Sequence, residues 1–143
     1  MSERDSLLEL RGLDVGHGRR ALVRDVCLAV RPGQVVALIG PNGSGKTTIL
    51  RTVAGQLRAL GGTVELLGRD LPDVPATERA RTMSVMLTGR PQTELLTCRD
   101  IVEAGRHPYT GRMGTLLPDD HSRVDEAMKT AHVEELAERD FMQ

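Results

Sequence analysis

A chain of 143 residues suits one domain or part of one, and 39% hydrophobic with 27% charged residues is an ordinary globular composition. No apolar stretch approaches a membrane span, and Met1-Ser2-Glu3-Arg4-Asp5 has no secretory character, so a cytoplasmic location is the expectation, with membrane association only through a partner. The net charge of −1 and an aromatic supply of only Tyr109 and Phe141 argue against nucleic-acid partners, and Cys27 and Cys98 have neither metal-site nor disulfide-framework spacing.

In chain order, Leu7 to Val30 reads as two or three short strands, with turns at Gly12, Gly16 and Gly18. Ala21–Val30 is a strand broken by the charged pair Arg24-Asp25, and Cys27 within it reads as a core thiol. Arg31-Pro32-Gly33-Gln34 is a turn. The continuous apolar run Val35-Val36-Ala37-Leu38-Ile39 predicts a buried parallel strand. Next comes Gly40-Pro41-Asn42-Gly43-Ser44-Gly45-Lys46-Thr47-Thr48, which satisfies G-x-x-x-x-G-K-[ST]. Ile49, Leu50, Val53, Ala54 and Leu57 then recur at helical spacing, with Gly55 weakening the pattern only mildly. Strand, glycine-rich loop and helix together make the motif a site.

The chemistry needs these residue types. Glycines at 40, 43 and 45 allow conformations closed to other residues and close approach to a ligand. The loop N–H groups then form an anion nest, reinforced by the N-terminus of the following helix. Lys46, one of only two lysines, places a compact charge on the β- and γ-phosphates of ATP, and the Thr47 hydroxyl suits Mg²⁺. The competing reading is a glycine-rich turn with no ligand.

Beyond the loop, Gly61-Gly62 breaks the chain and Thr63–Leu67 predicts an exposed strand ending at Gly68. Pro72, Pro75 and Thr77 introduce a short polar helix, and Met83–Leu87 predicts the next buried strand. Thr97 with Asp100 is a capping-box-like helix start, followed by Ile101, Val102 and Gly105. Val124, Ala127, Met128 and Ala131 form a helical stripe with Ser122 as its cap, and Leu136, Ala137 and Phe141 suggest a last short helix. Residues 1–90 carry 13 basic and 9 acidic side chains, and residues 91–143 carry 6 and 11. Either two differently built regions meet near residue 90, or these are simply two solvated surfaces.

The loop sequence resembles the Walker A motif of ABC-transporter ATPase subunits. Arg31–Gln34, Gly62–Leu71 and Leu96–Val102 are similar to segments of the same family, and the likeness covers essentially the whole chain. Ala104-Gly105-Arg106-His107-Pro108-Tyr109 is similar to a stretch typical of iron-siderophore, haem or cobalamin importers. The resemblance implies an α/β fold: a P-loop NTPase (RecA-like) core with an N-terminal antiparallel β subdomain and the start of a helical subdomain. The divisions it suggests are residues 1–34, 35–90 and 91–143. It implies ATP with Mg²⁺, a transmembrane permease, a second ATPase subunit, no nucleic acid, and a place at the inner face of the cell membrane.

Departures from the family are equally specific. The adenine-stacking aromatic position is held by His17, which stacks less extensively or is an exposed loop histidine without a role. The Q-loop glutamine position holds Thr88, with Gln92 four residues on. The chain contains no LSGGQ-like signature, no apolar run ending in Asp-Glu and no matching switch histidine, so no catalytic residue is assigned. The expectation is an N-terminal portion of the subunit that binds ATP without turning it over and is weakly stable by itself. A non-hydrolysing nucleotide-binding module and a soluble ABC ATPase unconnected with transport are the competing readings.

Overall fold

The computed structural model describes residues 6–86, 96–111 and 114–142. The chain divides into two compact units, Met1–Arg79 and Ala80–Gln143.

The first unit is built on a four-stranded antiparallel sheet of order β2-β1-β3-β4, where β1 is Leu8–His17, β2 Arg20–Val30, β3 Gly61–Leu66 and β4 Arg69–Asp70. β1 and β2 form a hairpin closed by the pair His17↔Arg20. Gly18, at φ 60, supplies the positive φ that a two-residue hairpin turn requires. The ladder is not regular. One residue is extra on β1 between Leu10 and Leu13, and one is extra on β2 between Val23 and Val26 and again between Ala21 and Val23. Asp14 secures the middle irregularity, its Oδ1 accepting from the Asp25 N–H at 2.9 Å. Leu67 and Gly68, both at positive φ, make the turn that pairs Leu66 with Arg69.

One face of this sheet supplies most of the core. Leu10, Leu13, Val15, Val64 and Leu66 are buried with Ile49 from helix α1 (Lys46–Val53) and with Leu71 and Val74 from the segment that follows β4. Each such side chain contributes roughly 1.5–3 kcal/mol on leaving water. α1 ends where Gly55, at φ 72, reverses the chain and the N–H groups of Gln56 and Leu57 both return to the Arg51 carbonyl. A helix α2 follows at Ala76–Thr82, after a single 3₁₀ turn at Leu71–Asp73.

The second unit contains α3 (Cys98–Ala104) and α4 (Pro118–Thr130), each with its start fixed by an aspartate three residues on. Thr97 Oγ1 accepts from the Asp100 N–H at 3.1 Å while Asp100 Oδ2 accepts from the Thr97 N–H at 2.8 Å, a complete capping box. At α4, Asp120 Oδ2 accepts from the Leu117 N–H at 3.0 Å, and Val124 and Met128 are buried along the apolar stripe. The 137–141 segment returns to the start of α3, with Cys98 N–H donating to Arg139 and Phe141 N–H to Leu96.

Several expectations are corrected. Val35–Ile39 forms no strand among the described residues; Val35 and Ile39 are 97% and 94% exposed. Met83–Met86, the described part of the second predicted strand, is likewise unpaired, and Met86 is 96% exposed. A parallel strand gains its hydrogen bonds from neighbours brought alongside by crossovers, and no described strand pairs with either run, although Leu38 packs against the core of the first unit. Gly61-Gly62 opens β3 instead of breaking the chain, and α1 stops at Val53, short of Leu57. Ser122 lies inside α4, where its hydroxyl donates to the Pro118 carbonyl, so it is no cap. Cys27 is exposed, its sulfur accepting from the Gly12 N–H at 3.3 Å. The last element is a 3₁₀ turn at Glu134–Leu136.

Candidate functional site

The loop at 40–48 is shaped by its own backbone. The Ser44 N–H donates to the Pro41 carbonyl at 3.3 Å, curling the first half. Gly43 and Gly45 take φ 80 and 92, and the Gly45 carbonyl then accepts the first helical bond, from Ile49 N–H at 2.9 Å. Gly45 is required twice over. Its φ is closed to ordinary side chains, and a Cβ there would overlap the Val23 Cγ2 methyl of β2. The loop therefore sits directly on the β1–β2 hairpin.

What the curl leaves free defines the chemistry. Among the described residues, no protein acceptor meets the N–H groups of Gly43, Gly45, Lys46, Thr47 or Thr48. α1 has no side-chain cap and no acidic residue in its first turn, so its positive end is uncompensated. Lys46 Nζ lies back over the loop, donating to the carbonyls of Gly40 and Pro41 at 2.8 and 2.7 Å and to Ser44 Oγ at 3.4 Å. All three acceptors are neutral and no carboxylate forms an ion pair with Lys46 among the described residues, so its charge is positioned but unspent. Free amides, a helix N-terminus and a cation held by neutral dipoles suit a polyphosphate.

Thr47 is exposed with an unengaged hydroxyl, whereas Thr48 is buried and its carbonyl accepts from Thr52 Oγ1 at 2.8 Å. The two adjacent threonines thus divide: Thr47 faces outward, where a metal ligand is useful, and Thr48 anchors the helix. An alcohol oxygen beside phosphate oxygens is the kind of hard donor that Mg²⁺ takes.

His17 ends β1 and is exposed. It lies on the same strand face as buried Val15, two residues back, which is the face that Ile49 of α1 packs against. His17 thus stands at the tip of the hairpin, on the core-facing side of β1. Thr88 and Gln92 lie outside the described residues.

The stretch Gly105–Tyr109 has a structural explanation. Arg106 Nη2 and Nε reach Asp120 Oδ1 at 2.8 and 2.9 Å, and Asp120 is only 5% exposed. The Leu117 N–H, and then Arg106, hold the Asp120 carboxyl below the ordinary carboxylate range. Arg106 also lies 4.1 Å from the Tyr109 ring centroid, with Arg81 at 5.3 Å. Sequence reasoning missed the Arg106–Asp120 pair, fourteen residues apart, because only the hairpin-like return of α4 onto α3 brings it together.

Comparison with known proteins bears on all of this. The family model described as "ABC transporter" matches residues 23–143. The chain is 37% identical over 133 residues to a hemin import ATP-binding protein of Gloeobacter violaceus, covering 93% of this chain and 48% of that protein. It is 31% identical over 132 residues to an iron(3+)-hydroxamate import ATP-binding protein of Bacillus subtilis, covering 92% and 49%. It is 35% identical over 133 residues to a cobalamin import ATP-binding protein of Halobacterium salinarum, covering 93% and 33%. Among solved structures, the ATP-binding subunit of an ABC transporter superposes with a TM-score of 0.75 at 25% identity, covering 93% of this chain and 53% of that one. The chain spans about half the length of most of these relatives.

Proposed function

Because the chain belongs to the ABC transporter family, as an ATP-binding subunit, we propose that its 40–48 loop binds ATP with Mg²⁺ and that the whole subunit uses ATP binding and hydrolysis to energise an importer. The ligand class that the relatives favour is an iron-siderophore, haem or cobalamin. The observation that carries the reading is the row of free amides around a lysine held only by neutral acceptors. Gly40, Pro41, Asn42, Gly43, Ser44, Gly45, Lys46, Thr47 and Thr48 form the phosphate site, with Lys46 on the β- and γ-phosphates, Thr47 on the metal and His17 against adenine. Magnesium supplies charge neutralisation between phosphate oxygens when bound.

Phosphoryl transfer to water rests on positioning, charge stabilisation and a group that orients the water. These residues provide the first two. No residue of this chain is assigned the third role, so the 143 residues bind ATP without steady turnover. The functional partners are a transmembrane permease and a second ATPase subunit, which place the protein at the inner face of the membrane. Residues 1–34, 35–90 and 91–143 serve as β subdomain, nucleotide core and beginning of the helical subdomain. Among the described residues, no helix is long and apolar enough to cross a membrane.

Calorimetric titration of the chain with ATP and Mg²⁺ tests this. Lys46→Ala removes a charge-assisted contact and should weaken ATP by about ten- to a hundredfold. Absence of binding by the unaltered chain overturns the ATP reading. Phosphate release well above background overturns the claim that the chain does not turn over.

A further inference from the structure

We propose that Arg20 is a second base-contacting residue, forming with His17 a two-sided planar platform for the adenine of the bound nucleotide; this rests on the reading of the loop as an ATP site. The argument is one of ladder register. His17 and Arg20 are directly paired across the β1–β2 hairpin, and directly opposed residues share a sheet face with Cβ atoms about 5 Å apart. Two independent routes give that face. From β1, His17 lies two residues beyond buried Val15, whose face carries α1. From β2, Val15 pairs with Val23 and Gly16 with Ala21, so Leu22 is the extra residue of a bulge. Both Leu22 and Val23 consequently approach the loop, and an added Cβ on Gly45 would meet atoms of each. Arg20 lies two residues before Leu22, on the same face.

The order along that face is therefore Gly45, then Leu22, then the Arg20–His17 pair, with about 7 Å between residues two apart on a strand. Leu22 is 46% exposed, an apolar floor between the phosphate loop and the platform. Among the described residues, neither the Arg20 nor the His17 side chain has a hydrogen bond, ion pair or ring contact, so both are free beyond the ladder that pairs their backbones. Gly16 fixes Arg20 from behind, since any Cβ there would strike the Arg20 carbonyl. A guanidinium plane stacks on a base as an aromatic ring does and adds its charge. In a chain with one tyrosine, one phenylalanine and no tryptophan, this offsets the modest stacking area of a histidine.

The test compares ATP with tripolyphosphate, which has the charge but no base, in calorimetric titrations of the unaltered chain, Arg20→Ala and Arg20→Lys. Both variants should weaken ATP by about two- to thirtyfold and leave tripolyphosphate unchanged within twofold. Thermal unfolding should be unaffected, because Arg20 is exposed. Equal weakening of both ligands, or full retention of ATP affinity by Arg20→Ala or by Arg20→Lys, overturns the proposal. If the unaltered chain binds tripolyphosphate but not ATP, the platform is overturned while the phosphate site stands; if it binds neither, the ATP reading itself fails.

Discussion

Gly45→Ala is the sharpest perturbation of the phosphate loop, because the structure assigns its cost to two separable causes. The first is backbone strain: a non-glycine residue at φ 92, ψ 4 costs roughly 1–3 kcal/mol. The second is overlap of the new methyl with Val23 Cγ2, an overpacking cost of about 1–3 kcal/mol. Together they predict a loss of roughly 2–6 kcal/mol, a large part of the 5–15 kcal/mol that holds an ordinary domain.

The two causes come apart in a double-mutant cycle with Val23→Ala. Val23 is half-buried, so truncation alone costs about 1 kcal/mol of transfer free energy. In the Gly45→Ala background the same truncation removes the overlap and should be neutral or stabilising. The cycle predicts a coupling of about 1–3 kcal/mol in the compensating direction, measured by urea unfolding of the four proteins, with the strain left uncorrected. Tripolyphosphate affinity should recover in parallel, because α1 regains its position on the hairpin. Additivity within about 0.5 kcal/mol would refute the claim that the loop is seated on Val23.

Other perturbations give equally direct readings. Leu67→Gly should stabilise the chain by up to about 1 kcal/mol in denaturant, because Leu67 sits at φ 51 in a tight turn and the strain relieved there exceeds the entropy that glycine adds to the unfolded chain. Thr97→Ala removes half of the capping box of α3 and should cost about 1 kcal/mol in the unfolding of the second unit. Met128→Ala opens a hole beside Val124 and should cost about 2–5 kcal/mol in the same assay. Asp120 has a depressed folded pKa, so its contribution is complete above the ordinary carboxylate value of 3.8 and is lost as pH falls through the depressed one. Asp120→Asn should lower the melting temperature at neutral pH and flatten the loss of stability below pH 3.8; a variant as acid-sensitive as the parent would refute that assignment.

What the sequence disclosed was whatever a few adjacent residues decide. The glycine spacing of 40–45, the lysine that follows, the Thr97–Asp100 cap and the Gly18 turn are local geometry, and each appears where the residue types require it. Val35–Ile39 failed for the opposite reason. Its β-branched composition favours extension, but pairing depends on strands supplied by distant parts of the chain, and no described strand pairs with it. The Arg106–Asp120 pair was invisible on the same ground.

Cys27 failed for a subtler reason that also bears on the site. Alternation along β2 predicts which side chains face inward only while the register holds. β2 instead carries two extra residues, one marked by Asp25 at φ 54 and the other Leu22, and each reverses the phase. The first irregularity leaves Cys27 exposed when an apolar neighbourhood suggested burial. The second turns Leu22 and Val23 together toward Gly45 and puts Arg20 on the face that alternation along β1 gives to its partner His17. An uninterrupted β2 would set Leu22 and Val23 on opposite faces, and only one could meet the loop. The irregularity that defeats a period-two reading is therefore the feature that joins the hairpin to the 40–48 loop.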